Sequence, residues 1–241
     1  MMKGILNSKW TLILALLMCL SGMARAQERK VQYKPFIDER RFHYGFFIGM
    51  HDQSLKLENN GYIDPATGAQ WLVENDQQGI GFSVGVLGEW RMHKYLSLRL
   101  LPSLHFGSKH LTFRNLADGK REGQNMKSTY IALPLDLKVS APRYNNFRPY
   151  VLGGVQPMYD LTTGKNTKLR VKPFNMMLEV GFGCDLYMPF FKLIPELKFC
   201  FGLNNILDKK RTDLLDPTQK VFTESLNGAV SNMVVLSLYF E

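Results

Sequence analysis

Gly81-Phe82-Ser83-Val84-Gly85 has the G-x-S-x-G spacing of a hydrolase nucleophile elbow, which presents its serine at a sharp strand-to-helix turn. Here the five residues lie inside a run of period two, so the serine has no such turn to stand on. The glycines of that run are read as making room for large neighbours such as Phe47 and Leu87. The five histidines, His43, His51, His93, His105 and His110, show no H-E-x-x-H or other ligand spacing and are read as interior or rim residues. Lipid-modifying chemistry would need a base beside a nucleophile, and no such pair stands out. The chain is therefore read as non-enzymatic, with no cofactor and no metal.

A second set of reactive side chains is charged, and all of it falls on one strand parity: Arg99, Asp136, Lys138, Glu179, Glu196 and Lys198. Set inside a small closed barrel, opposite charges make a network that fills the lumen. Arg99 on a third strand is placed to meet Asp136 on a fourth, and Glu179 on a sixth to meet Lys198 on a seventh. Buried ion networks are structural more often than functional, so stability is their first reading.

The elements that carry these charges are clearest in residues 174–203. Phe174, Met176, Leu178, Val180, Phe182, Cys184 and Leu186 form an apolar row, with Asn175, Met177, Glu179, Gly181, Gly183, Asp185 and Tyr187 between them. After Met188-Pro189-Phe190 the alternation resumes with its parity switched: Phe191, Leu193, Pro195, Leu197, Phe199, Phe201 and Leu203 against Lys192, Glu196, Lys198 and Gly202. A period of two held for about thirteen residues is β-strand, and longer than the usual soluble strand of about 5–6. Crossing a membrane barrel takes about 9–11.

The same unit recurs along the chain. Phe42, Tyr44, Phe46, Ile48 and Met50 open strand one; Ile80, Phe82, Val84 and Val86 mark strand two; Leu96, Leu98, Leu100, Leu104 and Phe106 strand three. Thr129, Ile131, Leu133, Leu135, Leu137 and Val139 mark strand four, Val151, Val155, Tyr159 and Leu161 strand five, and Val230, Val234, Leu236, Leu238 and Phe240 strand eight. Turn formers and charge place long loops at 59–78, 114–127, 162–172 and 204–228, and short connections at 91–94, 142–146 and 188–190. The expected fold is all-β: an eight-stranded antiparallel up-and-down transmembrane barrel over residues 42–241.

Long loops alternating with short turns fit an outer-membrane barrel with both termini in the periplasm. A soluble carrier of lipocalin type would be apolar inside and polar outside; the charged inner parity, the strand length and the lack of a disulfide frame favour the membrane. Trp90, Tyr95, Tyr144, Phe147, Tyr187, Phe190 and Phe191 stand where an interfacial aromatic girdle belongs.

Residues 1–26 read as a signal peptide: Lys3 and Lys9, an eleven-residue apolar run from Trp10 to Leu20, and Ala24-Arg25-Ala26 with cleavage after Ala26. Residues 27–41 are charged and aperiodic, a short extended periplasmic arm. The formal charge of +9 falls to about +6 without the leader. An exported basic protein meets anionic lipid and lipopolysaccharide rather than nucleic acid. Lys165, Lys168, Arg170 and Lys172 in the 162–172 loop, which has no acid, are candidates for lipopolysaccharide phosphate or an acidic protein partner; a solvated loop is the plain alternative. Cys184 and Cys200 point to opposite faces, so no disulfide is expected.

Four strand segments together resemble the PorT proteins of Bacteroidota. They are Arg41-Phe42-His43-Tyr44-Gly45-Phe46, Tyr130-Ile131-Ala132-Leu133-Pro134-Leu135, Arg148-Pro149-Tyr150-Val151-Leu152-Gly153-Gly154, and Pro195-Glu196-Leu197-Lys198-Phe199-Cys200-Phe201-Gly202-Leu203-Asn204-Asn205. The resemblance implies an outer-membrane accessory or assembly component of the type IX secretion system, working with other secretion proteins and without catalytic residues. A general surface barrel for adhesion, membrane integrity or lipopolysaccharide contact is the alternative.

Overall fold

Strict alternation leaves each strand one apolar and one mixed face, and the chain resolves this by curling its mixed faces inward. In a computed structural model the described residues are 31–63, 68, 70–116, 118–162, 169–208 and 224–241. The stretch read as a leader with cleavage after Ala26, and the loop residues Lys165 and Lys168, lie outside them. Residues 33–241 form one compact unit; of the preceding unit only Val31 and Gln32 are described.

The strands are β1 (Phe42–Asn59), β2 (Trp71–Gln78), β3 (Ile80–His93), β4 (Leu96–Leu100), β5 (Ser103–Asn115), β6 (Arg121–Ala132), β7 (Leu135–Ser140), β8 (Phe147–Asp160), β9 (Phe174–Tyr187), β10 (Lys192–Gly202) and β11 (Leu226–Phe240). These eleven segments make the eight expected walls, because β2/β3, β4/β5 and β6/β7 each form one wall broken in two. Pro102 and Pro134 cause two of the breaks, since proline has no N–H for the ladder. Their carbonyls still serve it, Pro102 accepting from Val86 N at 3.0 Å and Pro134 from Leu101 N at 3.1 Å. Every pairing is antiparallel, and β1 pairs with β11 on one side and β3 on the other, so the ring of pairings returns to its start. A closed ring leaves no ladder open to lipid, which offers no hydrogen-bond partner.

The two faces separate as the parity requires. Phe46, Val86, Leu135, Leu137, Val180 and Leu236 are exposed on the outside, and Leu98 and Phe199 are half-exposed there. Arg99, Asp136 and Glu179 are buried within. Trp90, Tyr95, Tyr144, Phe147, Phe190 and Phe191 are exposed around the short-turn end. Tyr187 is not part of that girdle: it is 1% exposed and points inward, as its position in the polar row demands. Cys184 and Cys200 are free, the first half-buried and the second buried.

Two expected loops are partly strand. β2 occupies 71–78, and β6 begins at Arg121, leaving only 116–120 as the turn, where Gly119 takes a positive φ of 71°. In these extensions the outer residues are polar, so mean hydropathy hides the alternation. The inner ones, Leu55, Val73, Leu111 and Phe113, cluster with Leu169, Val171, Ile206, Leu207, Leu226 and Ala229. That cluster is an apolar plug at the long-loop end, and two of its parts come from loops. Val171 and Leu207 form an isolated antiparallel bridge, while Gln124 holds Leu169 from both sides by its amide (Leu169 N to Oε1, 3.0 Å; Nε2 to Leu169 O, 3.2 Å).

Residues 33–41 of the expected extended arm are folded rather than extended. A 3-10 turn at Ile37–Glu39 places Asp38 against Arg143 and Arg148 (3.4 and 3.5 Å), and Tyr187 OH donates to Asp38 at 2.6 Å. Asp38 answers two cations and a phenol at the short-turn mouth, a pull that an isolated reading of the arm's charges misses.

Candidate functional site

The charged part of the lumen is built by inward positions on seven strands. Arg99 (β4) donates from Nε to Glu89 (β3) at 2.9 Å and pairs through Nη1 with Glu196 (β10) at 2.5 Å. Tyr239 OH donates to the other Glu196 oxygen at 2.7 Å, and Tyr150 OH donates to Glu196 as well. The Arg99 guanidinium lies 5.0 Å from the Tyr150 ring centre and 5.3 Å from that of Tyr239. Lys138 (β7) holds Asp185 (β9) at 3.0 Å and approaches Glu89 at 3.4 Å. Lys198 (β10) holds Asp136 at 2.8 Å, Glu179 at 3.3 Å and Glu196 at 3.7 Å.

All six expected lumen charges thus meet in one network, and the Glu179–Lys198 pair forms as expected. The Arg99–Asp136 pair does not: the two are register partners, but Arg99 reaches across the barrel and Asp136 is taken by Lys198. Glu89, Asp185, Tyr150 and Tyr239 join the network beyond the six expected charges. Their inward parity was the available signal; what pairs with what across a lumen depends on register, which the sequence does not state. At the short-turn end Glu241 is gripped by His43 and Lys192, each at 2.5 Å, tying β1 and β10 to the end of β11.

Toward the plug the ion pairs give way to hydroxyl and imidazole groups and to buried Lys109, which donates to Tyr130 OH at 3.0 Å. Ser83 Oγ lies 2.7 Å from Nδ1 of both His51 and His105. A base beside a hydroxyl therefore exists where the sequence showed none. Ser83 is fully buried and its strand runs straight through, with no elbow and no approach for a substrate. His51 fits only because Gly81 carries no side chain, since a Cβ there would collide with the imidazole. Gly183 likewise admits the Tyr150 phenol, Gly85 the Phe47 ring and Gly154 the Asp136 carboxylate.

What the arrangement does chemically is fill space and cancel charge. Arg99, Lys138, Lys192, Tyr187, Tyr239 and Phe113 are among the largest fully buried side chains. A central cavity lined by His105, Gln156, Glu179, Lys198 and Tyr239 is about 10 Å³, the room of about one water. In the candidate anion loop, Arg170 pairs with Asp208 of the neighbouring loop at 3.6 Å, and exposed Lys172 bonds Ile206 O through its backbone N–H at 2.6 Å. The loop lacks acids of its own but borrows one, so Arg170 and Lys172 stitch the plug together.

A family model described as an outer membrane protein beta-barrel domain matches residues 25–208. No curated protein matches the chain. Among solved structures, Neisserial surface protein A aligns at 8% identity and a TM-score of 0.42, covering 83% of this chain and 98% of that one. OprG from Pseudomonas aeruginosa aligns at 11% and 0.43, covering 83% and 90%. Ail of Yersinia pestis, solved with the heparin analogue sucrose octasulfate, aligns at 12% and 0.36, covering 83% and 99%.

Proposed function

The chain belongs to the outer membrane protein beta-barrel domain family, and from that premise we propose that it is a sealed, non-catalytic barrel serving as an accessory or assembly component of the type IX secretion system. In this reading the leader is removed after Ala26, both termini lie in the periplasm and the long loops face outward. The observation that carries the non-conducting, non-catalytic part is the filled lumen, with Arg99, Asp136, Lys138 and Glu196 all buried under the plug. A barrel that neither conducts nor catalyses through its interior must act through its ends and its outer wall. It is also too narrow to be the conduit for exported proteins. Support for the secretion role comes from the PorT-like segments in strands one, four, five and seven. The latched arm adds to it, because it gives the short-turn end a defined shape for periplasmic proteins to recognise.

Deleting the gene and measuring export of cargo that carries a C-terminal secretion signal tests this role. Cargo retained inside the deletion strain, and released again when the wild-type gene is restored, is the expected outcome. Normal export would leave the second reading, a general surface barrel in contact with lipopolysaccharide, which the basic outer face of the β5–β6 hairpin favours.

A further inference from the structure

The β5–β6 hairpin outgrows the apolar belt, and its outer face carries an unusual pairing. Arg114 and Arg121 are register partners on adjacent strands, so their side chains leave the same face side by side. Both are exposed, and among the described residues neither guanidinium has a hydrogen bond or ion pair. The acid beside them, Glu122, lies on the other parity and is paired with Lys120 at 3.3 Å. Glu74 stands one row lower on β2, in register with Thr112. Like charges directly opposite in a sheet repel, and among the described side chains no acid is paired with either arginine. Two guanidinium forks in one place match the oxygens of a phosphate or carboxylate.

Height and direction indicate what the anion is attached to. On the same outer face, Lys127 is exposed and sits two residues beyond Thr129, the register partner of the belt residue Phe106. Arg121 is six residues further, about 20 Å along the strand. These side chains point sideways from the barrel wall, toward whatever stands next to it in the leaflet, and not upward into the medium. A molecule that meets a cation at the acyl boundary and two more well above it is an amphiphile with a tall anionic head.

We propose that Arg114 and Arg121, with Lys127 below them, bind the anionic sugar head of a glycolipid standing beside the barrel in the outer leaflet. The site requires the outward orientation of the long loops and is independent of the secretion role. The full chain is reconstituted in phosphatidylcholine nanodiscs, and binding of fluorescent lipopolysaccharide is measured for the wild type, for Arg114→Gln/Arg121→Gln, for Lys127→Gln and for the control Lys56→Gln. Lys56 is exposed on β1, away from the pair. Heat-dependent gel mobility verifies that each variant is folded. The double variant is expected to bind about tenfold more weakly, Lys127→Gln to weaken binding by a smaller factor, and Lys56→Gln to match the wild type. Unchanged binding by the double variant, or an equal loss in Lys56→Gln, would overturn the site. Displacement by inorganic phosphate at equal phosphate concentration would make it a simple anion site and overturn the glycolipid assignment. An epitope inserted at Gly119 and read on intact cells tests the orientation separately: a hidden epitope removes the outer-leaflet occupant whatever the export assay shows.

Discussion

Arg99 and Asp136 stand opposite one another in the β4–β7 register and form no ion pair. Arg99 instead joins Glu89 to Glu196 across the lumen, between the rings of Tyr150 and Tyr239, and Asp136 belongs to Lys198. The consequence is that the walls are braced across the barrel as well as along their ladders. Some charges pair with the next strand, as Arg99 does with Glu89 and Lys198 with Glu179, and others across the lumen, as Arg99 does with Glu196 and Lys198 with Asp136, so deleting one leaves a buried ion short of a partner.

Replacing Arg99 by methionine removes the cation that Glu89 and Glu196 share and leaves them only Lys138 at 3.4 Å and Lys198 at 3.7 Å. Breaking a buried pair from one side costs about 3–5 kcal/mol, whereas removing both partners costs far less. Urea unfolding in detergent micelles is expected to show Arg99→Met strongly destabilised and Arg99→Met/Glu196→Gln partly recovered. Equal stability of Arg99→Met and wild type would show that the network does not brace the barrel.

Gly183→Ala places a methyl group 2.5 Å from Cζ of Tyr150 and 2.8 Å from the Pro195 carbonyl. The phenol must then leave Glu196, and the adjacent backbone offers no room to yield. A lower folded fraction on heat-modifiable gels is the expected result, while Gly88→Ala, whose nearest neighbour is 3.7 Å away, is expected to fold normally. If the two variants behaved alike, the close packing of Tyr150 would be wrong.

Asp38→Ala removes the anion that Arg143, Arg148 and Tyr187 converge on. The arm is expected to be cut by protease before residue 41 several times faster than in the wild type, with the strands still protected. No change in cleavage rate would mean that Asp38 does not hold the arm.

The filled lumen predicts electrical silence. Wild-type protein in a planar bilayer is expected to give no stepwise ion conductance. Introducing Leu207→Asp into the plug, where Leu207 is 2% exposed among Leu55, Phe113 and Leu226, is expected to produce transient openings. Steady steps from the wild type would contradict the sealed interior.

Much of this was legible in the sequence. Parity alone assigned inside and outside to Phe46 and Phe47, to Leu135 and Asp136, and to Val180 and Glu179, because a strand flips every residue. It failed where another force overrode a local signal. Tyr187 looks like a girdle residue by type, but its parity and Asp38 draw it inward. The plug was missed because Leu55, Val73 and Leu111 alternate with polar residues in stretches rich in turn formers, and because Leu169 and Ile206 come from loops with no period at all. Pairing of the lumen charges was only half readable: Glu179 and Lys198 are diagonal neighbours, whereas Arg99 and Glu196 meet across the barrel's width.

The most direct measurement follows the last strand through the bilayer. With Cys184 and Cys200 replaced, a fluorophore is attached to single cysteines at Val234, Val235, Leu236, Ser237 and Leu238, and quenching by brominated lipid is recorded. Strong quenching at Val234, Leu236 and Leu238, with weak quenching at Val235 and Ser237, is the expected pattern. Uniform quenching, or its reversal so that Val235 and Ser237 meet the lipid, would contradict a closed barrel with its apolar rows in the membrane.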